Sequence, residues 1–393
     1  MAEKHLLSFA KVFASTVKGL VLNKNTVFIF LAGVAFYLVF YGWTIYNQQI
    51  EHIPAAVVDL DNTAASRRLI MEMDASPFID VLFVTQSESE AMDAFRRDIA
   101  PTVVTIPTDY QKHLARGENV TINVLGNGAF PAKPRAAEVG LKNIVADGGG
   151  KADLESVFGS GLSGTSLVPR RGQPPGTASA YRFNEIGGYA NYCMPVIAPI
   201  ILQAVMMMGL CIGIGGWLCA TPRPRFVSQA LRHPLTSGLA VYLGVWMIIF
   251  MWFFYIEGFD FWVFEYTTLS NLPLTLLAGL LLSADIAAAS IAVALMLGSN
   301  HWALQTVALA SAPSVFVSGG IWPQAGITNP VVFVFSQFLP STPGIQMMVS
   351  ASQGGAPLSE LLPQLWLCLA QIGLYLLLCC RLARWRATHF NRS

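Results

Sequence analysis

Long apolar stretches separated by short polar connections occupy most of the chain, and this pattern predicts an α-helical membrane protein. A helix needs about 20 apolar residues to cross a bilayer, and six stretches reach roughly that length. They are Val27–Tyr46, Tyr189–Cys219, Thr236–Ile256, Leu272–Leu297, His301–Gly320 and Leu361–Cys380. We therefore expect six transmembrane helices, the first over residues 26–46 and the other five within residues 189–380.

The first 25 residues follow an amphipathic pattern instead. Lys4, Lys11 and Lys18 recur every seven residues, so they share one stripe of a helix, while Phe9 and Phe13 share another side. A helix of this kind lies on a membrane surface, with its lysines toward water and lipid phosphates.

Residues 47–188 have the composition of a soluble domain within an otherwise apolar chain. Charged residues make up only 12% of the sequence and the mean hydropathy is +0.52, yet 17 of the 23 acidic residues lie in this stretch. Strand-like runs alternate with helical patterns, which predicts an α/β domain inserted between the first two spans. The expected strands are Ala55–Leu60, Val81–Thr85, Thr102–Ile106 and Val120–Leu125.

The stretch from Trp302 to Met348 is too apolar for water and too rich in Pro and Gly for one straight helix. The sequence has no Lys, Arg, Asp or Glu between Asp285 and Glu360. Broken backbone is tolerated at membrane depth only where protein or a water-lined cavity covers it. We interpret residues 321–345 as a re-entrant hairpin that acts as a gate before the last span. The residues that mark it are Pro313, Ser318, Gly319, Gly320, Pro323 and Pro340.

The distribution of Lys and Arg sets the expected orientation, because positively charged loops stay in the cytoplasm. Four such residues precede the first span, three lie in the 218–235 loop and four in the tail at 381–393, whereas the loops 257–271 and 321–360 have none. Both termini and the 218–235 loop are therefore expected in the cytoplasm, and the α/β domain on the outside.

The sequence contains no motif for catalysis or nucleotide binding. The run GGGK at 148–151 lacks the spacing of a phosphate-binding loop, and no H-E-x-x-H pattern occurs. All six cysteines lie in or beside apolar segments, which excludes a disulfide framework in the α/β domain. The chain is therefore not expected to be an enzyme or to carry a cofactor or metal.

The 218–235 loop is the candidate for docking a cytoplasmic partner. Prolines bound a short helical stretch, and the side chains offered to a partner are Arg223, Arg225, Phe226 and Leu231. The alternative is an ordinary positively charged loop whose arginines only set the topology.

Asp285 is an acidic residue in the middle of the fourth apolar span, where a charge costs roughly 2.5–3.5 kcal/mol on insertion scales. The small residues around it indicate that this span lies inside the bundle. One interpretation places Asp285 on the translocation path or at a conformational pivot, near Gln203, Gln305 or Gln371. The other interpretation is a structural hydrogen bond between helices.

Pro313, Ser318-Gly319, Pro323 and the later segment Phe338–Thr342 resemble the signature after the fifth helix of ABC type 2 permeases. These permeases are the membrane halves of ATP-binding-cassette exporters, and their layout is similar to that of nearly the whole chain. The large domain after the first span resembles a bacterial subgroup. Membership implies the inner (plasma) membrane, a second permease subunit in a homo- or heterodimer, and a separate ATPase that carries ATP and Mg. It also implies that the 218–235 loop contains the coupling helix.

The resemblance further implies export of amphipathic drug-like or lipid-like molecules, with a periplasmic adaptor and an outer-membrane channel as additional partners. Membrane lipid is an expected partner and nucleic acid is not. Two other classes stay open. A proton-coupled transporter would use Asp285 as its carrier group, although the sequence has no detectable inverted repeat. A membrane-anchored sensor or scaffold would bind a ligand in the α/β domain, although six spans exceed what an anchor needs.

Overall fold

The computed structural model describes residues 6–46, 50–116, 118, 120–127, 132–147, 152–159, 188–266, 271–298 and 301–389. The chain divides into a helical unit, Met1–Tyr46 with Tyr181–Ser393, and an α/β unit, Asn47–Ala180. Each unit has a hydrophobic core of its own.

An amphipathic helix and a long apolar helix open the helical unit. They are α1 (Phe9–Val21) and α2 (Lys24–Thr44). The side chains that α1 buries are four residues apart and therefore lie on one face of the helix: Val12, Thr16 and Leu20. Lys11 and Lys18 are exposed, which agrees with the expected amphipathic pattern.

The α/β unit contains a five-stranded mixed sheet in the order β2-β1-β3-β4-β5. β1 pairs parallel with β2 and β3, β3 pairs antiparallel with β4, and β4 pairs parallel with β5. In chain order the elements are β1 (Ile53–Asp59), α3 (Ala64–Asp74), β2 (Ile79–Thr85), α4 (Glu88–Arg96), β3 (Thr102–Ile106), α5 (Tyr110–Ala115), β4 (Val120–Asn127), α6 (Ala132–Asp147) and β5 (Ala152–Gly159). The predicted α/β character is confirmed, and β5 is a strand that the sequence pattern did not predict.

Helices cover both faces of this sheet, which explains why the inner strand β1 is apolar without alternation. Ala55 and Val57 of β1 pack into the core that includes α3 and α6, and Ala56 and Val58 pack against Ala91 of α4. Asp59 ends this buried run, and its carboxylate accepts hydrogen bonds from the backbone of the following turn.

After the α/β unit, eight helices complete the described part of the helical unit. The first four are α7 (Tyr189–Cys219), the short α8 (Arg225–Arg232), α9 (Pro234–Val263) and α10 (Leu272–Leu297). The last four are α11 (His301–Val317), α12 (Pro330–Ser336), α13 (Ser341–Met348) and α14 (Leu358–His389). α10 lies at the centre of this unit, because 78% of its most apolar window is buried in the chain.

Within the described residues, five helices are long and apolar enough to cross a membrane: α2, α7, α9, α10 and α14. α11, the other expected span, has 17 residues and a length of about 25 Å, which is less than the roughly 30 Å of a hydrocarbon core. It ends at Val317 rather than at Gly320, and two residues later Gly319 has a φ of +90°. The structure therefore contains five candidate spans and one shorter apolar helix.

The chain between α12 and α13 is not helical, and side chains from two other helices bind its backbone. Gln371 of α14 donates from Nε2 to the carbonyl oxygens of Gln337 at 2.5 Å and Leu339 at 3.4 Å. The Tyr375 hydroxyl donates to a third carbonyl, that of Phe338. From α7, Gln203 Oε1 accepts the backbone N–H of Ser341 at 2.6 Å, at the start of α13.

These bonds form what we call the backbone clamp, made by the side chains of Gln203, Gln371 and Tyr375. An unpaired backbone group costs several kcal/mol in hydrocarbon, so a break in a helix persists there only when partners of this kind are supplied. The clamp also joins the break to α7 and α14 and thereby fixes where α13 lies.

We expect Gln371→Ala and Gln203→Ala to destabilise the protein by about 1–2 kcal/mol each, because the first removes the side-chain donor to the part-buried Gln337 carbonyl and the second removes the acceptor of the buried Ser341 N–H. Gln305→Ala is the matched control, since Gln305 is an exposed glutamine on α11. Thermal unfolding of the purified full-length protein in one detergent measures the effect. Equal unfolding temperatures for all three variants would contradict the clamp.

Candidate functional site

α8 forms in the 218–235 loop because prolines delimit it and its apolar residues repeat at helical spacing. Pro224 precedes the first turn and His233-Pro234 follows the last one. Val227 and Leu231 are four residues apart, and both are buried in the core of the helical unit. Phe226 is half-buried, and its ring meets the edge of Trp217 at the end of α7, with 5.1 Å between the ring centroids.

The structure gives different positions to the four residues proposed for docking on this loop. Leu231 is turned into the chain's own core, and Arg223 donates from Nε to the Leu218 carbonyl at 2.9 Å, which caps α7. Arg225 is exposed, as is Arg232 two turns further along the same face, and Phe226 follows Arg225 in the sequence. The surface open to a partner is therefore a stripe carried by Arg225 and Arg232.

Gln229 attaches α8 to the start of the chain, a role that sequence reasoning missed. Its Oε1 accepts the backbone N–H of Leu7 at 2.8 Å, and its Nε2 donates to the Leu7 carbonyl at 3.0 Å and to Ser237 Oγ at 2.8 Å. The amide satisfies both backbone groups of Leu7, the residue before the N-cap Ser8 of α1. α8 is thus tied to α1 as well as to α7.

An apolar cavity of about 260 Å³ lies behind α8. Its walls include Val227 and Leu231 of α8, Trp217 of α7, Leu295 of α10 and Cys379 of α14. α8 therefore borders this cavity together with these three long helices.

Asp285 lies at the middle of α10, fully buried among small residues. Its Oδ2 is 3.8 Å from the Cys368 thiol of α14, and its Oδ1 has no hydrogen-bond partner among the described residues. Near it, the Tyr242 hydroxyl of α9 donates to the Ala284 carbonyl at 3.2 Å. Three helices therefore meet at this carboxyl group, and one of its oxygens is open to a further donor.

None of the glutamines proposed to accompany Asp285 hydrogen-bonds to its carboxylate among the described residues. Gln203 and Gln371 are buried but belong to the backbone clamp, and Gln305 is exposed on α11. Sequence alone could not separate these three cases, because each glutamine occurs in an apolar helix.

The residues proposed for the gate form a bend between α11 and α12 and a second break at Pro340. Gly320 touches α7: a Cβ at this position would lie 2.2 Å from Val196 Cγ1, so only glycine fits. Ser318 and Pro340 are buried, whereas Pro313 within α11 and Pro323 before a short 3₁₀ turn are exposed.

No group of His, Cys, Asp or Glu side chains in the described ranges could hold a metal ion. A comparison with protein-family models matched residues 24–381 to the family described as "ABC-2 family transporter protein". Comparisons with curated proteins and with solved structures gave no match. The match covers most of the sequence and includes α2, the whole α/β unit, the α8 loop and the broken segment before α14. On this evidence the chain is a membrane-spanning member of the ABC-2 transporter family.

Proposed function

We propose that the chain is the permease subunit of an ABC exporter that moves amphipathic small molecules and is driven by an ATPase on a separate polypeptide. Family membership makes it a transport permease of an ABC system. The observation that carries the rest is α8, a short helix with an exposed arginine stripe whose other face is packed into the spans. An acidic groove on a cytoplasmic ATPase would accept this stripe.

The contacts of α8 provide a path for force from the ATPase. Phe226 contacts Trp217 at the end of α7, Gln229 is hydrogen-bonded to Leu7 ahead of α1, and Leu231 packs into the core. Through α7, displacement of α8 reaches Gln203 and hence the backbone clamp at the start of α13. ATP binding would therefore act on the gate through α7.

A second permease subunit and lipid would cover the apolar surface that one chain leaves open. Only 11% of the most apolar window of α14 and 28% of that of α2 are buried in the chain. α12 exposes Val331, Val334 and Phe335.

We propose that α11 is a sixth span, that residues 321–345 re-enter the membrane beside it, and that the α8 end is cytoplasmic. An inner-membrane location, with a periplasmic adaptor and an outer-membrane channel beside the α/β unit, completes the proposal.

We expect Arg225→Glu to reduce transport-coupled ATP hydrolysis by at least about tenfold, because it reverses the charge of the docking stripe. The measurement uses the complex of this chain with the ATPase that co-purifies with it. Arg97→Glu is the matched control, since Arg97 is an exposed arginine on the α/β unit. Equal activity in the two variants would overturn the docking role of α8.

One observation favours a second candidate, proton-coupled transport: the Asp285 carboxyl is buried and one of its oxygens lacks a described partner. Asp285→Asn keeps the shape of the side chain and removes its ability to exchange a proton. In an ATP-driven exporter with Asp285 at a pivot, we expect reduced flux, normal membrane insertion, and continued dependence on ATP. Flux in sealed vesicles, with either ATP or an imposed proton gradient, makes the distinction.

If Asp285→Asn transports at the wild-type rate, Asp285 takes part in neither mechanism and serves only in helix packing. Gradient-driven flux that disappears in the variant, with no requirement for ATP, would replace the exporter proposal by the proton-coupled one.

A further inference from the structure

A cavity of about 370 Å³ opens where α7 begins, at the end of the helical unit opposite α8. α7 has 31 residues, so this cavity lies about 45 Å from the α8 loop. Its walls come from the first turns of α7, the bend at Gly319-Gly320, the segment that follows α13, and the first turns of α14. Gly319, Gly320 and Ile345 of the proposed gate therefore line this cavity, whose volume is within the range of small-molecule sites.

Two polar side chains in the walls, a carboxylate and an amide, indicate the chemistry of the ligand that the cavity would bind. Glu360 lines the cavity and is its one charged residue. Gln353 also lines it, is only 7% exposed, and its Nε2 has no hydrogen-bond partner among the described residues. A buried donor without a partner is costly unless a bound molecule accepts from it. The Glu360 carboxylate and the Gln353 amide together favour a ligand with one positive group and one acceptor oxygen.

Two further hydrogen bonds join polar side chains of the cavity wall to neighbouring groups. Gln364 Nε2 donates to Gln346 Oε1 at 2.6 Å, and the Tyr192 hydroxyl donates to the Ile321 carbonyl at 3.3 Å. These bonds hold α14 to α13 and α7 to the bend, so the cavity has a formed frame. Between the polar groups, Val196 and Ile345 provide an apolar wall.

We propose that this cavity binds amphipathic organic amines. The ammonium group would pair with the Glu360 carboxylate, an ether, ester or sulfonyl oxygen would accept from Gln353 Nε2, and the apolar part would lie on Val196 and Ile345. Two sources share this chemistry, a free amphipathic amine and the headgroup of an amine-bearing phospholipid. That the bound amine is the exported cargo rests on the proposed function, whereas binding itself does not.

The test measures binding to the purified full-length chain in lipid nanodiscs without any ATPase. Dansylcadaverine is the probe, because it joins a primary amine and sulfonyl oxygens to an apolar ring system, and dansyl fluorescence reports binding. Its N-acetyl derivative is the neutral control ligand. We expect wild-type protein to bind the amine about tenfold more tightly than the acetylated compound, the scale of one charge-assisted hydrogen bond.

Glu360→Gln should abolish this preference by weakening amine binding about tenfold, and it should leave the binding of the acetylated compound unchanged. Glu265→Gln is the matched control, since Glu265 is an exposed carboxylate that does not line the cavity. Gln353→Leu should weaken both ligands, because both keep the acceptor oxygens. Unchanged gel-filtration profiles verify that the variants are folded.

Nanodiscs of phosphatidylglycerol alone, or mixed with phosphatidylethanolamine, separate the two sources. Competition by phosphatidylethanolamine in wild type but not in Glu360→Gln would identify a lipid headgroup, and lack of competition would identify a free amine. Equal affinity for the amine and its acetylated form in wild type, or equal losses in Glu360→Gln and Glu265→Gln, would overturn the site. Amine binding without ATP-driven flux in the assembled complex would overturn the exporter function and leave the site standing.

Discussion

The requirement that every backbone polar group has a partner governs the helical unit. A straight helix meets it alone, but the chain between α12 and α13 cannot, because Pro340 and the residues before it break the ladder of hydrogen bonds. Side chains of Gln203, Gln371 and Tyr375 supply the missing partners. These hydrogen bonds form only while α7 and α14 keep their positions beside the break. A displacement of α7 relative to α13 would therefore break the hydrogen bond between Ser341 and Gln203.

An element can be predicted from the sequence when all of its residues favour the same secondary structure. The apolar run of β1 and the lysine spacing of α1 are local patterns, and the structure agrees with both. The limits of α11 were predicted less well, since hydropathy continues through Ser318–Gly320 while the positive φ of Gly319 ends the helix. β5 was not predicted, because Asp153, Glu155 and Ser156 interrupt its apolar residues and leave no strand-like run in the sequence.

The candidate site was harder to predict, because side-chain roles depend on contacts that are distant in sequence. Three glutamines in apolar helices look alike, yet Gln203 and Gln371 bind broken backbone and Gln305 is exposed. On α8, helical spacing does separate the inward residues Val227 and Leu231 from the outward Arg225, and a wheel of that helix would have placed Leu231 inside. The partner of Gln229 has no such signal in the sequence.

The bonds between Gln229 and Leu7 also constrain the order of synthesis, since 222 residues separate the two. A ribosome completes α2, the whole α/β unit and α7 before the amide that binds Leu7 exists. During that interval α1 can pack only against the parts of the bundle already made, among them Trp217 of α7, which lies against Gly19. The beginning of this polypeptide is therefore joined to α8 only after more than half of the chain has been made.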